Sequence, residues 1–255
     1  MNNQYEDAVV VITGASSGLG RAIASGAAHS GASAVIVNYA SNAAEAELTA
    51  QQVRDAGAEA VLVQGNVAEE EDCRRIIAAA QPYGRINALF NNAGVSREGS
   101  IGSFSAEDFL YDYRVNVVGA FQMARAARAL LEAFGGGAIV NTSSIAGVSG
   151  RGTSPSYTAS KGGLIALGKW LAHQYAPSIR VNNVCPGFID TQWFEKRAPA
   201  GGVDRIRDSV RSSTLLKRVA SAEDVAEVAL FLGSSAARHM TGESITVNGG
   251  PSAPV

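Results

Sequence analysis

Tyr157 and Lys161 stand four residues apart in Ser154-Pro155-Ser156-Tyr157-Thr158-Ala159-Ser160-Lys161. That spacing puts both side chains on one face of a helix. The chemistry open to the pair is proton transfer. A free tyrosine ionises near pH ~10, too high for an efficient proton shuttle at neutral pH. A lysine ammonium beside it and the positive end of a helix both favour the phenolate and lower that value. Ser154 is placed to cap the helix and Pro155 to occupy its first turn. The remaining residues of the stretch (Ala159, Gly162, Gly163, Leu164, Ala166) are small and apolar, so this face packs closely against something. Taken alone, the spacing is also that of an ordinary exposed helix.

A second group of residues points to phosphate. Thr13-Gly14-Ala15-Ser16-Ser17-Gly18-Leu19-Gly20 follows a β-branched run and opens a helical one. Glycines there let the backbone turn tightly and approach a pyrophosphate, which then faces the unpaired N–H groups of the helix start. The spacing is G-x-x-x-G-x-G, and a plain strand–helix connection is the alternative. Dinucleotide folds that accept NAD place a carboxylate at the end of the second strand, against the ribose 2′-hydroxyl. Here that strand ends Val37-Asn38-Tyr39-Ala40-Ser41-Asn42. Asn38 cannot repel a 2′-phosphate, and Ser41 and Asn42 can donate to one. The missing carboxylate favours NADP, with NAD as the alternative, since neither Ser17 nor Tyr39 is a cation.

The elements needed to position these groups are legible as a rhythm. Val9–Ile12, Ala34–Val37, Ala60–Val63, Ile86–Phe90, Ala138–Val140, Ile179–Val184 and Ser244–Val247 read as strands. They are apolar without strict alternation, as a parallel sheet covered on both faces requires. Helices are expected between them near 19–30, 43–56, 69–81, 106–134, 154–176 and 222–233. This predicts one Rossmann-type, doubly wound α/β domain over residues 1–255, with a seven-stranded parallel sheet and helices on both faces. Residues 190–215 break the rhythm with a polar, breaker-rich excursion. A loop of that length is expected to be a substrate lid, with a surface helical hairpin as the alternative.

Composition excludes several functions. With 21 Lys and Arg against 23 Asp and Glu, the net charge is −2, and no basic run offers a nucleic-acid footprint. Apolar residues make up 46% of the chain, ample for a core, yet no run reaches the roughly 18 residues of a membrane span. The polar start Met1–Asp7 does not resemble a targeting segment. Cys73 and Cys185 form no C-x-x-C pair, and His29, His173 and His239 are isolated, so neither a disulfide scaffold nor a metal site is expected. A soluble, cytoplasmic, metal-free protein is the expectation.

With these motifs in this order, the chain resembles the short-chain dehydrogenase/reductase family over nearly its whole length. Besides the glycine turn and the Tyr157/Lys161 pair, the likeness rests on Asn91-Asn92-Ala93-Gly94, Asn116, Ser143-Ser144, Pro186-Gly187, Thr241-Gly242-Glu243 and Val247-Asn248-Gly249-Gly250. It implies hydride transfer between a nicotinamide nucleotide and a ketone or secondary alcohol of a small molecule. Tyr157 would be the general acid for reduction and the base for oxidation, and Lys161 would bond the nicotinamide ribose and lower the tyrosine pKa. Ser144, thirteen residues before the tyrosine, would polarise the carbonyl. Asn116 would hold the water joining Lys161 to solvent, and the poor helix formers Val117, Val118 and Gly119 beside it predict a local irregularity.

For the cofactor, the resemblance assigns Gly14, Ser16, Gly18 and Leu19 to the pyrophosphate side, with Ser17 and Gly20 of the same turn. Asn38, Tyr39 and Ser41 would lie near the adenosine ribose, and Asn66 and Val67 would border the adenine. Asn92 and Gly94 would meet the nicotinamide half, with Pro186, Gly187, Ile189 and Thr191 at the ring and its carboxamide. Ile145, Val148, Arg97, Arg151, Gln192, Trp193 and Phe194 are candidate substrate neighbours.

Relatives that receive an acyl-carrier protein resemble one another in carrying basic residues at two places: the end of the fifth crossover helix and just after the catalytic helix. Here Leu131–Gly137 and Tyr175–Ile179 hold no cation, although Arg125 and Arg128 lie earlier on the same helix. A free small-molecule substrate is therefore expected, with 3-oxoacyl-acyl-carrier-protein reduction second and a non-catalytic dinucleotide sensor third. Family members pair their long helices in a tetramer. The small residues Ala120, Ala124, Ala127, Gly162, Gly163, Ala166 and Gly168 fit a homotetramer built by close helix approach.

Overall fold

Strands as uniformly apolar as Val9-Val10-Val11-Ile12 are stable only where both faces are covered, and the molecule covers them. The computed structural model describes residues 4–99, 101–192 and 202–250. The strands are β1 (Val9–Ile12), β2 (Ala34–Tyr39), β3 (Glu59–Gln64), β4 (Ala88–Asn91), β5 (Gly137–Thr142), β6 (Ile179–Pro186) and β7 (Ser244–Val247). They form one seven-stranded sheet in the order β3-β2-β1-β4-β5-β6-β7, every neighbouring pair parallel. The helices are α1 (Gly18–His29), α2 (Ala43–Asp55), α3 (Glu70–Ala78), α4 (Ala106–Tyr113), α5 (Gly119–Glu132), α6 (Ile145–Ser149), α7 (Pro155–Tyr175), α8 (Gly202–Ser213) and α9 (Ala222–Gly233).

Alternate strand residues feed two cores. Val10 and Ile12 join Ile23 of α1 and Val225 of α9 on one face. Val9 and Val11 join Ile76 of α3, Met123 of α5 and Leu171 of α7 on the other. Chain direction across the sheet reverses between β1, which continues to β2, and its other neighbour β4. In a doubly wound sheet the crevice at that switch point, beyond the strand C-termini, is where ligands bind.

One local expectation is met and two features were not anticipated. The stretch 106–134 is not one regular helix: Arg114–Val118 is a π-helical turn between α4 and α5, with the Gly119 N–H bonded to the Arg114 carbonyl. That is the irregularity expected around Asn116. The five-residue α6 was not anticipated, because it is too short to show a helical period. The other is a buried polar ladder. Asn91, Asn141 and Asn183 sit in register on β4, β5 and β6. The Asn91 amide donates to Asn141 at 3.0 Å, Asn141 to Asn183 at 3.1 Å, and Asn183 to Ser244 at 3.1 Å. α7 crosses this ladder at Gly168, where a Cβ would stand 2.2 Å from the Asn183 Oδ1.

The small residues credited to helix pairing are spent largely inside the chain. Ala124 and Ala127 pack into the core, Ala120 packs beside Leu164, and Tyr113 covers Gly163. Close approach by these residues therefore serves this chain's own layers. No described helix is long and apolar enough to cross a membrane.

Candidate active site

The glycine turn leaves β1 and bends where only glycine bends easily: Gly14 has φ +62° and Gly18 φ +52°. A Cβ on Gly20 would lie 2.3 Å from the Gly14 carbonyl oxygen and 2.6 Å from the Asn92 Nδ2. Asn92 braces the turn, donating to the Thr13 and Gly14 carbonyls at 3.0 and 3.1 Å. α1 starts at Ser17, whose side chain makes no capping bond, and carries no acidic residue in its first turn. Its leading N–H groups are therefore open to an anion. This bare cradle is the fit of the residues present to a pyrophosphate.

Asn38 lies on the cavity wall, but its side-chain groups are committed within the fold. Its side chain is buried, accepting from the Gly14 N–H at 3.2 Å and donating to the Val63 and Gly65 carbonyls at 3.2 and 3.0 Å. An amide fits there because the site needs both an acceptor and a donor. The polar groups turned to the cavity at the end of β2 belong instead to Ser41 and Asn42, and Asn42 also caps α2 by accepting from the Glu45 N–H.

The reactive residues come from two places, the turn after β5 and α7. Ser144 ends the β5 loop and caps α6, its Oγ accepting from the Ala146 N–H at 3.1 Å. Ser143 and Ser144 are both buried and both line the cavity, but Ser143 commits its hydroxyl proton to the Lys161 carbonyl at 2.7 Å. α7 begins as expected, with Ser154 capping it through the Tyr157 N–H and Pro155 in its first turn. The Lys161 Nζ donates to the Thr142 carbonyl at 2.7 Å and lies 5.7 Å from the centre of the Tyr157 ring. Burial pulls the Lys161 ammonium down to about 8, against the smaller opposing pull of Cys185 and Asp112. Gly94 leaves room here: a Cβ would stand 3.2 Å from both the Lys161 Nζ and the Asn116 Oδ1.

One cavity of about 550 Å³ joins these groups to the glycine turn. Its wall includes Gly14, Ser16, Ser17, Gly18, Leu19 and Gly20, then Asn38, Ser41, Asn66 and Val67, then Asn92 and Gly94. Ser144, Tyr157, Lys161, Pro186, Gly187, Ile189 and Thr191 complete it at the reactive end. Two of the expected cofactor and catalytic residues lie off that wall. Tyr39 is one. The other is Asn116, whose side chain is used up in accepting from the Val95 N–H and donating to the Val95 carbonyl and the Ser160 Oγ.

Asp112 is a residue that motif reading missed. It is fully buried, accepts from the Arg97 N–H at 3.0 Å and from the Ser156 hydroxyl at 2.5 Å, and so ties the 95–97 segment to the start of α7. A four-residue offset before Asn116, on the buried side of α4, was its only sequence signal. Of the candidate substrate neighbours, Trp193 and Phe194 lie outside the described residues. The suspected lid leaves and rejoins the fold at a bridge between Ile189 and Ala220, and Arg207 of α8 grips Asp190 at 2.8 and 2.9 Å. Among the described residues no group of three His, Cys, Asp or Glu side chains gathers as metal ligands.

A parallel sheet with a glycine cradle at its switch point, and a Ser/Tyr/Lys set at the other end of the same cavity, defines a dinucleotide-dependent oxidoreductase. Known proteins agree. A family model described as "Enoyl-(Acyl carrier protein) reductase" matches residues 14–252. An uncharacterised oxidoreductase of Methylorubrum extorquens is 38% identical over 250 residues, covering 97% of this chain and 99% of that one. A 3-oxoacyl-acyl-carrier-protein reductase of Staphylococcus epidermidis is 32% identical over 94% of this chain and 97% of its own. The solved structure of a 7α-hydroxysteroid dehydrogenase, in complex with NADH and 7-oxo glycochenodeoxycholic acid, superposes with a TM-score of 0.90. It is 28% identical and the match covers 98% of this chain and 96% of that one. The chain belongs to the short-chain dehydrogenase/reductase family, and is an NAD(P)-dependent oxidoreductase acting between nicotinamide and a carbonyl or alcohol.

Proposed function

We propose that this enzyme is an NADP(H)-preferring reductase of a free small-molecule ketone, with Tyr157 as its proton donor. The observation that carries the reading is the single cavity running from the glycine turn to Ser144, Tyr157 and Lys161. When bound, the nicotinamide supplies or accepts the hydride. The Ser144 hydroxyl orients and polarises the carbonyl, and the Tyr157 phenol delivers the proton to its oxygen. Lys161, charged below pH about 8, stabilises the phenolate left behind and holds the ribose. Asn116, with its side chain committed to Val95 and Ser160, would serve the relay through its main chain in the π-helical turn.

Preference for NADP is supported by the end of β2, where the cavity wall is Asn38, Ala40, Ser41 and Asn42 with no carboxylate among them. Glu45 nearby is paired with Arg21 at 2.5 Å. The test is kcat/KM for NADPH against NADH with one ketone. A higher value for NADPH is expected, and a tenfold preference for NADH, about 1.4 kcal/mol the wrong way, refutes it. A cytoplasmic location, the lid over 190–215 and a homotetramer belong to the same reading. Exposed Leu110, Tyr113 and Trp170 support assembly, and light scattering showing a monomer at micromolar concentration would refute it.

Delivery by an acyl-carrier protein is the second reading, favoured by the kinship with a 3-oxoacyl-acyl-carrier-protein reductase. The charges speak against it. Arg125 pairs with Glu70 at 2.8 Å, and Arg128 pairs with Glu132 at 2.8 Å while lying over the Tyr175 ring. Each cation near the expected docking place thus has a carboxylate partner, Arg125 sharing Glu70 with Arg74, and such pairing weakens steering of an acidic partner. Comparing one acyl group on a carrier protein and on a pantetheine mimic decides between the readings. A hundredfold preference for the carrier that vanishes with added salt would establish the second.

A further inference from the structure

Beside the catalytic cavity lies a second, of about 370 Å³, walled by α6 and the loop that follows it, Gly187-Phe188, α8 and the end of β7. The two cavities meet at Gly187, and Ile145 on the second wall directly follows Ser144. Ile145, Phe188, Val210, Leu216 and Val247 make the second wall largely apolar. Three charged residues interrupt it: Arg151, Arg218 and Asp224.

Two of those charges cancel. Arg218 grips both Asp224 oxygens at 2.5 and 2.7 Å, and Asp224 also accepts from the Ser221 N–H at 2.8 Å. These bonds hold the Asp224 carboxyl well down, to about 2, so the pair is locked as an ion pair at working pH. Arg151 has no such partner. Its backbone N–H bonds the Ser149 Oγ, and among the described residues no carboxylate reaches its guanidinium. Among the described residues, the second cavity therefore carries one positive charge without a carboxylate partner, on a largely apolar wall that also holds Ser213, Thr214 and Asn248. An arginine fork in that setting matches a carboxylate in both shape and charge.

We propose that the second cavity is the far end of the substrate site and that Arg151 binds a carboxylate on the substrate. The preferred substrates are then oxo acids, or the corresponding hydroxy acids, with an apolar chain between the acid and the reacting carbon. α6, five residues long, separates Ser144 from Arg151 by a rise of about 7 Å, so the acid lies several bonds from the carbonyl. This inference rests on the reductase reading given above, to which it adds the substrate class.

The experiment is a series of oxo acids of about five to ten carbons, chosen to span that rise, each assayed beside its methyl ester. Wild type, Arg151→Gln and Arg151→Lys are compared by kcat and KM with the preferred nicotinamide nucleotide. For at least one chain length the acid should exceed its ester in kcat/KM by about tenfold or more, chiefly through KM. Arg151→Gln should bring that ratio close to one, and Arg151→Lys should keep part of it. Esters turned over as well as acids by the wild type, or an acid preference that survives Arg151→Gln, would overturn the proposal while leaving the reductase reading intact. Nucleotide oxidation with no ketone of the series would sink both.

Discussion

At the nucleotide end of the cavity, Gly14 and Gly20 bring main chain within a Cβ's width of Ala93 and Asn92. In the neighbouring second cavity, Arg151, Phe188 and Leu216 reach in from separate segments. The first wall is backbone braced by two amides, the buried Asn38 and the half-buried Asn92. The second is side chain, with Leu215 and Leu216 largely exposed above it. A wall of backbone recognises what every dinucleotide shares and tolerates almost no substitution. A wall of side chains can change its ligand one residue at a time. This contrast explains how one fold keeps a cofactor class while its relatives act on different substrates.

Four substitutions sharpen or break that contrast. Gly20→Val should act most strongly, because its side chain would collide with the Gly14 carbonyl and the Asn92 amide. A loss of nucleotide affinity of about a hundredfold is expected by calorimetry, the scale of a severe overpacking penalty. Affinity within a few-fold of wild type would show that the cradle is not backbone-limited.

Next is Gly168→Ala, which drives a methyl group into Asn183 and opens the amide ladder of β4, β5 and β6. It should lower unfolding free energy by about 2–3 kcal/mol in urea. An unchanged midpoint would mean that α7 shifts freely over the sheet.

The third concerns Lys161, whose folded pKa of about 8 lies below the ordinary lysine value. Between about pH 8 and pH 10 the unfolded chain binds a proton that the folded chain has released, so the Lys161 contribution makes stability rise with pH there. Relative to Lys161→Met, the wild type should gain up to about 1.4 kcal/mol per pH unit in that window. A flat difference would contradict the burial argument.

The smallest effect is expected at the other end: Leu216→Ala should leave nucleotide affinity within about twofold while altering KM for ketones. A large loss of nucleotide affinity there would erase the distinction between the two walls.

Much of the nucleotide end was legible in the sequence, for a physical reason. Glycines at a strand–helix junction, β-branched runs and the Ser154-Pro155 helix start are local signals, and the structure uses them locally. The family resemblance put the polarising role on Ser144, and the bond from the Ser143 hydroxyl to the Lys161 carbonyl is consistent with it. What escaped the sequence was long-range. That the Val63 and Gly65 carbonyls claim the Asn38 amide has no local signal. The asparagine ladder and the Asp112 clamp join segments far apart in the chain, through partners that have no pattern of their own. The small residues of α5 and α7 were assigned to a subunit contact because composition does not tell which side of a helix faces home.

The central claim is that the cavity holds a nucleotide at one end and moves a proton through Tyr157 at the other. Tyr157→Phe separates the two most directly, measured as nucleotide affinity and as ketone-dependent nucleotide oxidation in the same preparation. Affinity within about threefold of wild type, with turnover lowered by at least ~10²–10⁴-fold, is the predicted result. Near-native turnover of the same ketone by Tyr157→Phe would contradict it.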